Sequence, residues 1–269
     1  MKEALAGVVE KFPALQGPAY FAYNGSRTIR NISVRFAIDV FGYMPTYMSD
    51  RQQDRWVIEE VYKGKKGGFF VELGAADGLF DSNTYILEKR YGWRGLLIEP
   101  NPVNFAKIAG PHKRTSTAVP LAVDPEPGVL EFLIDGQRSS LLVEEVDNLT
   151  ERRADKLKRF RDAGKVIEVE SVPLEEVFAR YDAPADIDFF SLDVEGSETR
   201  ILRNFPFDRY RFLAMTIERP TPELNEILFA NGYHFVKNSL YDTFYVHESN
   251  PNFADIRKLP FEQLPPKLF

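Results

Sequence analysis

Short apolar runs alternate with amphipathic segments along most of the chain, beginning at Ser49. Residues 54–62 carry apolar positions at helical spacing and precede an apolar run, GFFVELG at 68–74, that predicts a buried strand. A second helix is predicted at about 82–91, and a second buried strand, WRGLLIEP, follows at 93–100. This half of the pattern predicts strands and helices that alternate around a parallel sheet.

The middle of the chain departs from that alternation. STAVPLAV, at residues 116–123, predicts a third strand. VLEFLI at 129–134 and VIEVESV at 166–172 predict an antiparallel pair around a long excursion. Within the excursion, residues 151–162 carry six basic and three acidic side chains, which favours a solvated helix or a mobile lid over a local phosphate-binding site.

The last third returns to strands and helices. Apolar strands are predicted at 186–194 and 211–218, and Ser197 is placed to cap the helix between them. The chain then closes with YHFVKNS and TFYVHES around a short turn, which predicts an antiparallel hairpin at the sheet edge. The whole pattern predicts a doubly wound α/β fold, with a mostly parallel sheet and an antiparallel last strand.

The two ends of the chain are less regular than the middle. Residues 1–50 hold many aromatic side chains without clean periodicity, and we expect them to form an N-terminal helical cap or, alternatively, the lining of a substrate cleft. Residues 51–250 are predicted to form the main domain and residues 251–269 a C-terminal tail. One large domain with short additions is therefore expected.

Composition narrows the classes of function. The net charge is −6, from 34 Lys+Arg against 40 Asp+Glu, so no overall positive field attracts nucleic acid or an anionic membrane. The chain has no cysteine, which excludes disulfides, thiolate metal sites and cysteine nucleophiles, and its three histidines disfavour a His-rich metal site. No apolar stretch is long enough to cross a membrane, and the acidic start does not resemble a secretory signal. We therefore expect a cytoplasmic protein with no nucleic-acid partner and no integral membrane segment.

In a doubly wound sheet the ligand binds at the carboxyl ends of the strands, so the residues just past each strand are informative. Small residues at 74–76 and 78 follow the first strand and let the backbone approach a ligand closely. Glu99 ends the second strand, where an acid can accept hydrogen bonds from both hydroxyls of a ribose. Glu72 lies in an apolar strand end, where a cationic ligand group would be its natural partner. S-adenosylmethionine has both a ribose and a positive centre.

Two other functions fit the same fold. A nicotinamide-dependent oxidoreductase would use the same turn and Glu99, but the glycine spacing is not G-x-G-x-x-G. A non-catalytic binding module is the other alternative. The presence of Glu72, Glu99 and Asp193 argues against it, because a decayed site need not keep buried acids.

Two longer blocks of sequence resemble a known family. GFFVELGAADGLFDSNTYILEKRYGWRGLLIEPNP and IDFFSLDVEGSETRIL are similar to FkbM-type methyltransferases, S-adenosylmethionine-dependent Rossmann-like enzymes that commonly methylate hydroxyl groups of sugars and polyketides. The resemblance spans about Ser49 to His247. It implies a class I methyltransferase fold and O-methylation of a sugar, or of a glycosylated or polyketide-like small molecule. The family usually has Asn at the position where Ala76 stands.

The resemblance also implies which residues contact the cofactor. Glu99 takes the ribose, and Asp124 falls where the adenine is usually held. Asp193 lies beside the methyl group to be transferred. The other implied contacts surround the methionine part of the cofactor, and they are Glu72, Gly74, Ala75, Asp77, Gly78, Ser82 and Asn83.

Two acids at neighbouring strand ends are the candidate catalytic residues. Asp193 closes one predicted strand, and Glu218 ends the next in the same topological position. They could chelate a divalent ion, Mg²⁺- or Mn²⁺-like, that acidifies a substrate hydroxyl; alternatively, Asp193 alone acts as a base. Glu195 and Glu198 lie in the first turn of the next helix, where acids are equally well explained by the helix dipole.

The segments expected to contact the methyl acceptor are the less regular parts of the chain. A small-molecule or glycan acceptor is expected to contact residues 1–50 or the excursion at 135–165, with Arg138, Ser139 and Ser140 as a candidate substrate-side loop. His234 and His247 are assigned to packing or to the surface.

Overall fold

The structure is a computed structural model that describes residues 34–38, 40–135, 139–143 and 158–265. The chain divides into two compact units, Met1–Thr46 and Tyr47–Phe269. In the first unit, residues 34–38 and 40–41 are helical, and the rings of Phe36 and Phe41 pack edge to face with centroids 5.6 Å apart. The rest of the predicted N-terminal cap, up to residue 33, lies outside the described residues.

The strands of the second unit, in chain order, are β1 (Phe69–Leu73), β2 (Arg94–Ile98), β3 (Thr117–Val119), β4 (Ala122–Val123), β5 (Gly128–Leu133), β6 (Ser140–Leu141), β7 (Val166–Val172), β8 (Asp186–Ile187), β9 (Phe189–Leu192), β10 (Arg211–Phe212), β11 (Ala214–Glu218), β12 (Tyr233–Ser239) and β13 (Asp242–His247). Seven of them form the main sheet in the order β12-β13-β11-β9-β1-β2-β3. In it, β13 runs antiparallel to β11 and β12, and the other neighbours pair in parallel. The predicted doubly wound α/β fold with an antiparallel last strand is confirmed.

The final strand lies inside the sheet rather than at its edge. The hairpin is antiparallel as predicted, but β13 sits between β11 and β12, so β12 forms the edge. All six residues of β13 are buried, whereas β12 exposes His234. A strand covered on both faces needs a continuous apolar run, and Phe244, Tyr245 and Val246 supply it.

The single strand predicted over residues 116–123 is wrong, because the chain forms two strands there. β3 pairs with β2 in the main sheet, while β4 pairs with β7 in a second sheet of order β4-β7-β5-β6. Pro120 lies between them and has no N–H to continue a ladder, so the chain leaves the main sheet at that point. The predicted antiparallel pairing of 129–134 with 166–172 is confirmed as β5 on β7.

The predicted strands at 186–194 and 211–218 are also divided. β8 and β10 pair with each other, while β9 and β11 continue into the main sheet. Asp188 lies between β8 and β9 and interrupts the predicted strand at 186–194, because it forms hydrogen bonds outside the strand ladder. Its carboxylate accepts from Phe69 N at 3.0 Å, and its carbonyl accepts from the Tyr62 hydroxyl at 2.7 Å.

The helices of the second unit are α1 (Gln53–Arg55, continuing as a π-helix over Trp56–Val61), α2 (Tyr85–Tyr91), α3 (Pro102–Ala109), α4 (Leu174–Arg180), α5 (Glu198–Leu202) and α6 (Pro222–Ala230). Residues 158–162 are helical too, and the other residues of the predicted 151–162 helix lie outside the described part of the chain.

The prediction that Ser197 caps α5 is wrong. Its side chain makes no capping hydrogen bond, and its backbone (φ −109°, ψ 9°) is not in the extended conformation that a capping residue adopts. Thr221, which precedes α6, has that conformation (ψ 162°), and its Oγ1 accepts from Leu224 N at 3.1 Å.

The described residues beyond 250 pack onto the sheet edge and α6. Leu259 N donates to Val236 O at 2.9 Å, and the rings of Phe229 and Phe261 pack edge to face with centroids 5.1 Å apart. No helix in the described part of the chain has the length and apolar character needed to span a bilayer. At the carboxyl ends of β1, β2, β9 and β11, the side chains predicted to carry chemistry lie along one edge of the sheet.

Candidate active site

The carboxyl ends of β1 and β9 are in direct contact. Gly74 has φ +86°, and a Cβ at this position would collide with the carbonyl oxygen of Asp193. Asp193 N donates to Leu73 O at 3.1 Å. On the other side, Gly74 N and Ala75 N donate to Ile98 O at 3.1 and 3.0 Å. Only glycine fits at position 74, and the turn after β1 is anchored to both neighbouring strands.

The Asp77 carboxylate shapes the rest of this turn. Its Oδ1 accepts from Leu79 N at 3.1 Å and from Phe80 N at 3.0 Å. His112 Nδ1 lies 2.6 Å from the Asp77 carbonyl oxygen and holds the turn from outside. The cofactor contact implied for Asp77 stays a prediction beside this structural role.

Ala76 adopts a left-handed backbone conformation, with φ +47°. This conformation costs an ordinary L-residue about 1–2 kcal/mol, whereas Asn tolerates it better than most other residues do. We expect Ala76→Asn to raise the free energy of unfolding by about 0.5–1 kcal/mol in urea denaturation. Ala76→Val is the matched control and should be destabilised, because a β-branched side chain is least tolerated at positive φ. An Ala76→Asn protein no more stable than the wild type would contradict this strain at Ala76.

Glu72 is buried and surrounded by donors from the loop that follows the turn. Ser82 Oγ donates to it at 2.9 Å, Asn83 N at 2.7 Å and Thr84 Oγ1 at 2.5 Å. Burial raises the pKa of Glu72, while these bonds and the nearby Arg114 favour its ionised form. The chain itself therefore supplies the partners expected from a ligand, and cofactor contacts of Glu72 and Ser82 stay predictions.

Arg114 is a central residue of this region, and no pattern in the sequence selects it. Its buried guanidinium donates to Glu88 Oε2 at 2.9 Å, Gly78 O at 2.6 Å and Thr84 Oγ1 at 2.8 Å. It also lies 3.9 Å from Glu72. Arg114 therefore fastens both ends of the 78–84 loop to the sheet and to α2.

Glu99 lies beside the turn, just past β2. One carboxylate oxygen accepts from Asn101 N at 2.8 Å, and the backbone N–H of Ala76 also donates to the carboxylate. A carboxylate offers about four lone-pair positions, so about two remain for a ligand. Burial raises the pKa of Glu99 to about 7. A pair of ribose hydroxyls is a suitable partner for such a group.

Asp124 lies at the end of β4 and is fully buried. Arg200 clamps it with two hydrogen bonds, Nε to Oδ2 at 2.7 Å and Nη2 to Oδ1 at 2.9 Å. Glu126 N donates to Oδ1 at 3.0 Å. The adenine contact implied for Asp124 stays a prediction, because the chain already occupies most of its acceptor positions.

Three carboxylates converge where β9 and β11 end, and we call them the acid cluster: Asp193, Glu198 and Glu218. Leu192 pairs with Ile217 across these strands, so the next residues, Asp193 and Glu218, lie side by side. One oxygen from each member of the cluster lies within 4.8 Å of the others. The structure brings together Asp193 and Glu218, the two acids chosen from the sequence. It adds Glu198, whose acidic side chain the sequence analysis explained equally well by the helix dipole.

The environment of the acid cluster favours protonation. Burial raises the pKa of Glu198 to about 8. The pKa of Asp193 is raised because the surrounding protein partly desolvates its carboxylate and because Glu218 and other nearby acids carry like charge. Asp193 nevertheless keeps an exposed face, whereas the apolar strand before it suggested a buried side chain. A ligand can reach this carboxylate, which binds a proton more readily than an ordinary aspartate.

Asp242 extends the negative charge of this edge and was not selected from sequence. It is paired with Glu218 across β11 and β13, and burial raises its pKa to about 7. It starts a strand whereas Glu218 ends one, so only an antiparallel neighbour could place the two acids together.

Two buried polar atoms near these strand ends provide a test of the expected cofactor. Asn83 Oδ1 and Ser197 Oγ have no hydrogen-bond partner among the described residues. Leaving such atoms unpaired costs free energy, so a ligand with polar groups would satisfy them. These two atoms, the free lone-pair positions of the Glu99 carboxylate and the exposed face of Asp193 are all polar groups available to a ligand. They fit S-adenosylmethionine, which has ribose hydroxyls and a charged amino-acid end.

The remaining candidates lie away from this edge. Ser140 is buried in β6, Ser139 Oγ accepts from Asp135 N at 3.1 Å, and Arg138 lies outside the described residues. His247 is buried, with Nδ1 beside Ser249 Oγ at 2.7 Å. A packing role for His247 agrees with these contacts.

Comparison with solved structures finds distant similarity to several methyltransferases. An FkbM methyltransferase from Methylobacillus flagellatus is 12% identical with a TM-score of 0.39, over 90% of this chain and 60% of that one. A precorrin-6y C5,15-methyltransferase from Geobacter metallireducens is 10% identical with a TM-score of 0.38, over 76% and 91% of the two chains. A Pyrococcus furiosus methyltransferase is 13% identical with a TM-score of 0.38, over 82% and 94%. Similarities this distant say nothing about mechanism or substrate.

Comparison of the sequence with family models identifies the family of this chain. No curated protein matches it significantly. The family model of the methyltransferase FkbM domain, however, matches residues 72–258, well over half of the chain. That range begins at Glu72 and contains the turn after β1, Glu99, Asp124 and the acid cluster. The chain belongs to the FkbM methyltransferase family.

Proposed function

We propose that this chain is an S-adenosylmethionine-dependent methyltransferase that methylates a hydroxyl oxygen, on a sugar or on a glycosylated or polyketide-like small molecule. The observation that carries the proposal is the acid cluster, in which Asp193 is exposed and adjoins the turn after β1. A hydroxyl is a weak nucleophile that must lose its proton during methylation, so a carboxylate with raised proton affinity suits oxygen as the acceptor atom. Family membership supports methyl transfer in general.

The other residues of the edge hold and orient the reactants. Glu99 binds the ribose hydroxyls, and Asn83 Oδ1 accepts a hydrogen bond from the cofactor. When bound, S-adenosylmethionine supplies an electrophilic methyl group on a good leaving group. The protein therefore contributes chiefly by aligning the acceptor oxygen, since well-oriented reactants can remove several kcal/mol of a barrier.

Asp193 receives the hydroxyl proton as the acceptor oxygen is methylated. Glu218 lies within 4.8 Å of it and raises its proton affinity through its negative charge. A base whose pKa approaches the working pH combines a useful ionised fraction with a strong drive to take the proton.

The same three carboxylates also have the separation that a hard divalent cation needs. Mg²⁺ or Mn²⁺ takes oxygen ligands from carboxylates, and such an ion would bind to Asp193 and Glu218, with Glu198 as a further ligand. In that role the acids would place a positive charge beside the acceptor hydroxyl and lower its pKa.

The acceptor atom is tested by offering the purified protein and labelled S-adenosylmethionine a panel of sugars, glycosylated small molecules and polyketides. Mass spectrometry of the product should locate the new methyl group on oxygen. A methyl group found on nitrogen or carbon would contradict O-methylation and leave methyl transfer itself standing.

A further inference from the structure

The turn between β12 and β13 departs from the usual chemistry of a hairpin. Only Leu240 and Tyr241 join the two strands, and Leu240 has a left-handed backbone, with φ +59°. Two-residue hairpin turns normally place Gly, Asn or Asp at such a position, because a bulky L-residue is strained there. Both side chains are also exposed, Leu240 by 59% and Tyr241 by 43%. Strain and exposure together indicate a role other than folding, because strained residues concentrate at functional sites.

This turn lies beside the acid cluster. Because β13 runs antiparallel to β11, the start of β13 adjoins the end of β11, and Asp242 pairs with Glu218. Arg219, the residue after Glu218, donates its backbone N–H to the Tyr241 carbonyl oxygen at 2.8 Å. The turn therefore extends the same sheet edge at which Asp193 is exposed.

The order of the strands leaves this side of the acid cluster to the acceptor. Glu99 and the turn after β1 lie on the β1 and β2 side of Asp193, whereas β11 and β13 lie on its other side. A cofactor with its ribose at Glu99 and its methyl group near Asp193 occupies the first side. Methyl transfer needs the acceptor oxygen in line with the methyl carbon and the sulfur. The acceptor therefore approaches from the side on which the Leu240–Tyr241 turn lies.

Arg219 supports the Tyr241 ring and keeps hydrogen-bond donors available. Its guanidinium carbon lies 3.9 Å from the ring centroid, which is a stacked arrangement. Stacking uses the flat face of a guanidinium and leaves its N–H groups at the edge of that plane. Among the described residues its side chain makes one hydrogen bond, from Nε to Glu218 Oε1 at 3.4 Å. The two Nη groups of Arg219 are therefore available to a ligand that packs beside Tyr241.

The charges around the turn favour an uncharged ligand. Arg219 is balanced by Glu218. Arg51, whose guanidinium carbon lies 5.8 Å from the Tyr241 ring centroid, is paired with Asp50 at 3.0 Å. The acid cluster adds further carboxylates at this edge. An anionic acceptor would therefore gain no net attraction here.

We propose that Leu240, Tyr241 and Arg219 form the acceptor-binding surface, which we call the acceptor rim, and that it binds an uncharged sugar ring. The inference rests on the function proposed above. The apolar C–H face of the sugar packs on the Tyr241 ring and against Leu240, since an aromatic side chain buries much apolar area on one ligand face. The Nη groups of Arg219 donate to the sugar hydroxyls. A further hydroxyl, the one to be methylated, then faces Asp193.

The test measures methyl transfer from labelled S-adenosylmethionine to the methyl glycosides of common hexoses and to the matching uronic acids. The acceptor KM and kcat are compared in the wild type, Tyr241→Ala, Tyr241→Phe and Arg219→Met. Tyr91→Ala is the matched control, because Tyr91 also packs on a cation, with Lys66 Nζ 4.1 Å from its ring centroid, but lies at the opposite edge of the sheet, where β2 begins. Titration with S-adenosylhomocysteine checks the cofactor site of each protein.

Leu240→Gly separates the strain of the turn from its contact with the acceptor. Glycine adopts positive φ without strain, so this variant should unfold at a higher urea concentration than the wild type. It should also have a higher acceptor KM, because it lacks the side chain that contacts the sugar. A Leu240→Gly protein that is no more stable, or that has the acceptor KM of the wild type, would contradict this role of the turn.

We expect Tyr241→Ala and Arg219→Met to raise the KM for the uncharged glycosides about tenfold or more, with little change in S-adenosylhomocysteine affinity. Tyr241→Phe keeps the ring and should restore most of the acceptor affinity, and Tyr91→Ala should behave like the wild type. An unchanged acceptor KM in Tyr241→Ala, or a preference for the uronic acids, would overturn the inference alone. Binding of S-adenosylhomocysteine without methylation of any glycoside would overturn it and leave the cofactor standing. A wild type that does not bind S-adenosylhomocysteine would refute the proposed function as well.

Discussion

Asp193→Asn is expected to lower kcat by about 10²–10⁴-fold, the contribution of a positioned general base. The substitution keeps the size of the side chain and removes its ability to take the hydroxyl proton. The affinity for S-adenosylhomocysteine should fall much less than kcat, because Glu99, the proposed ribose contact, is unchanged. Steady-state kinetics on an identified acceptor measure the effect, and Asp208→Asn, at an exposed position away from the strand ends, is the matched control.

The pH profile and chelation separate the two roles of the acid cluster. If Asp193 acts as a base, kcat should rise with pH through its raised pKa, and chelation should have no effect. If a divalent ion is used, chelation should abolish turnover and added Mg²⁺ or Mn²⁺ should restore it, while S-adenosylhomocysteine binding persists. Full activity in both Asp193→Asn and Glu218→Gln would contradict both roles and leave alignment as the whole mechanism.

Arg114→Met is expected to lower the free energy of unfolding by about 3–5 kcal/mol, the usual cost of removing one partner from a buried ion pair. The variant leaves Glu88 and Glu72 buried without their cation, and it frees the 78–84 loop. Urea denaturation measures the loss. Arg161→Met removes an exposed ion pair with Glu131 and should cost less than about 1 kcal/mol. A similar small loss for Arg114→Met would contradict the anchoring role.

The same substitution should change how stability depends on pH. Burial works to raise the pKa of Glu88, but Arg114 and several hydrogen bonds lower it from 4.5 to about 2. A carboxyl whose pKa is lower in the folded state stabilises the fold above its unfolded value, and this contribution is lost as the pH falls from about 4.5 towards 2. Without Arg114 the loss of stability over this range should be smaller than in the wild type.

The strands of the main sheet could be predicted because each is identified by a pattern of neighbouring residues. Apolar runs of five or six residues identify the main strands, and the turn at 240–242 identifies the antiparallel hairpin. The position of β13 inside the sheet depends on which neighbour covers it, which no local pattern records. Pro120 has no N–H to continue a strand ladder, so the sequence already contained the evidence that residues 116–123 form two strands.

The site was predictable where topology alone brings residues together. Asp193 and Glu218 end parallel neighbours, so their proximity follows from strand order. Arg114 lies in an aperiodic loop and meets Glu72 only in the folded chain, so no spacing in the sequence reveals it.

The most direct measurement of the central claim is a calorimetric titration of the protein with S-adenosylhomocysteine and with NAD. It is best made at pH 8, above the raised pKa of Glu99, which is about 7, so that this carboxylate is ionised. We expect S-adenosylhomocysteine to bind far more tightly than NAD, and Glu99→Gln to lose about 1.5–3 kcal/mol of that affinity, as for hydrogen bonds to a charged group. Preferential binding of NAD, or no binding of S-adenosylhomocysteine, would contradict the assignment as a methyltransferase that uses S-adenosylmethionine.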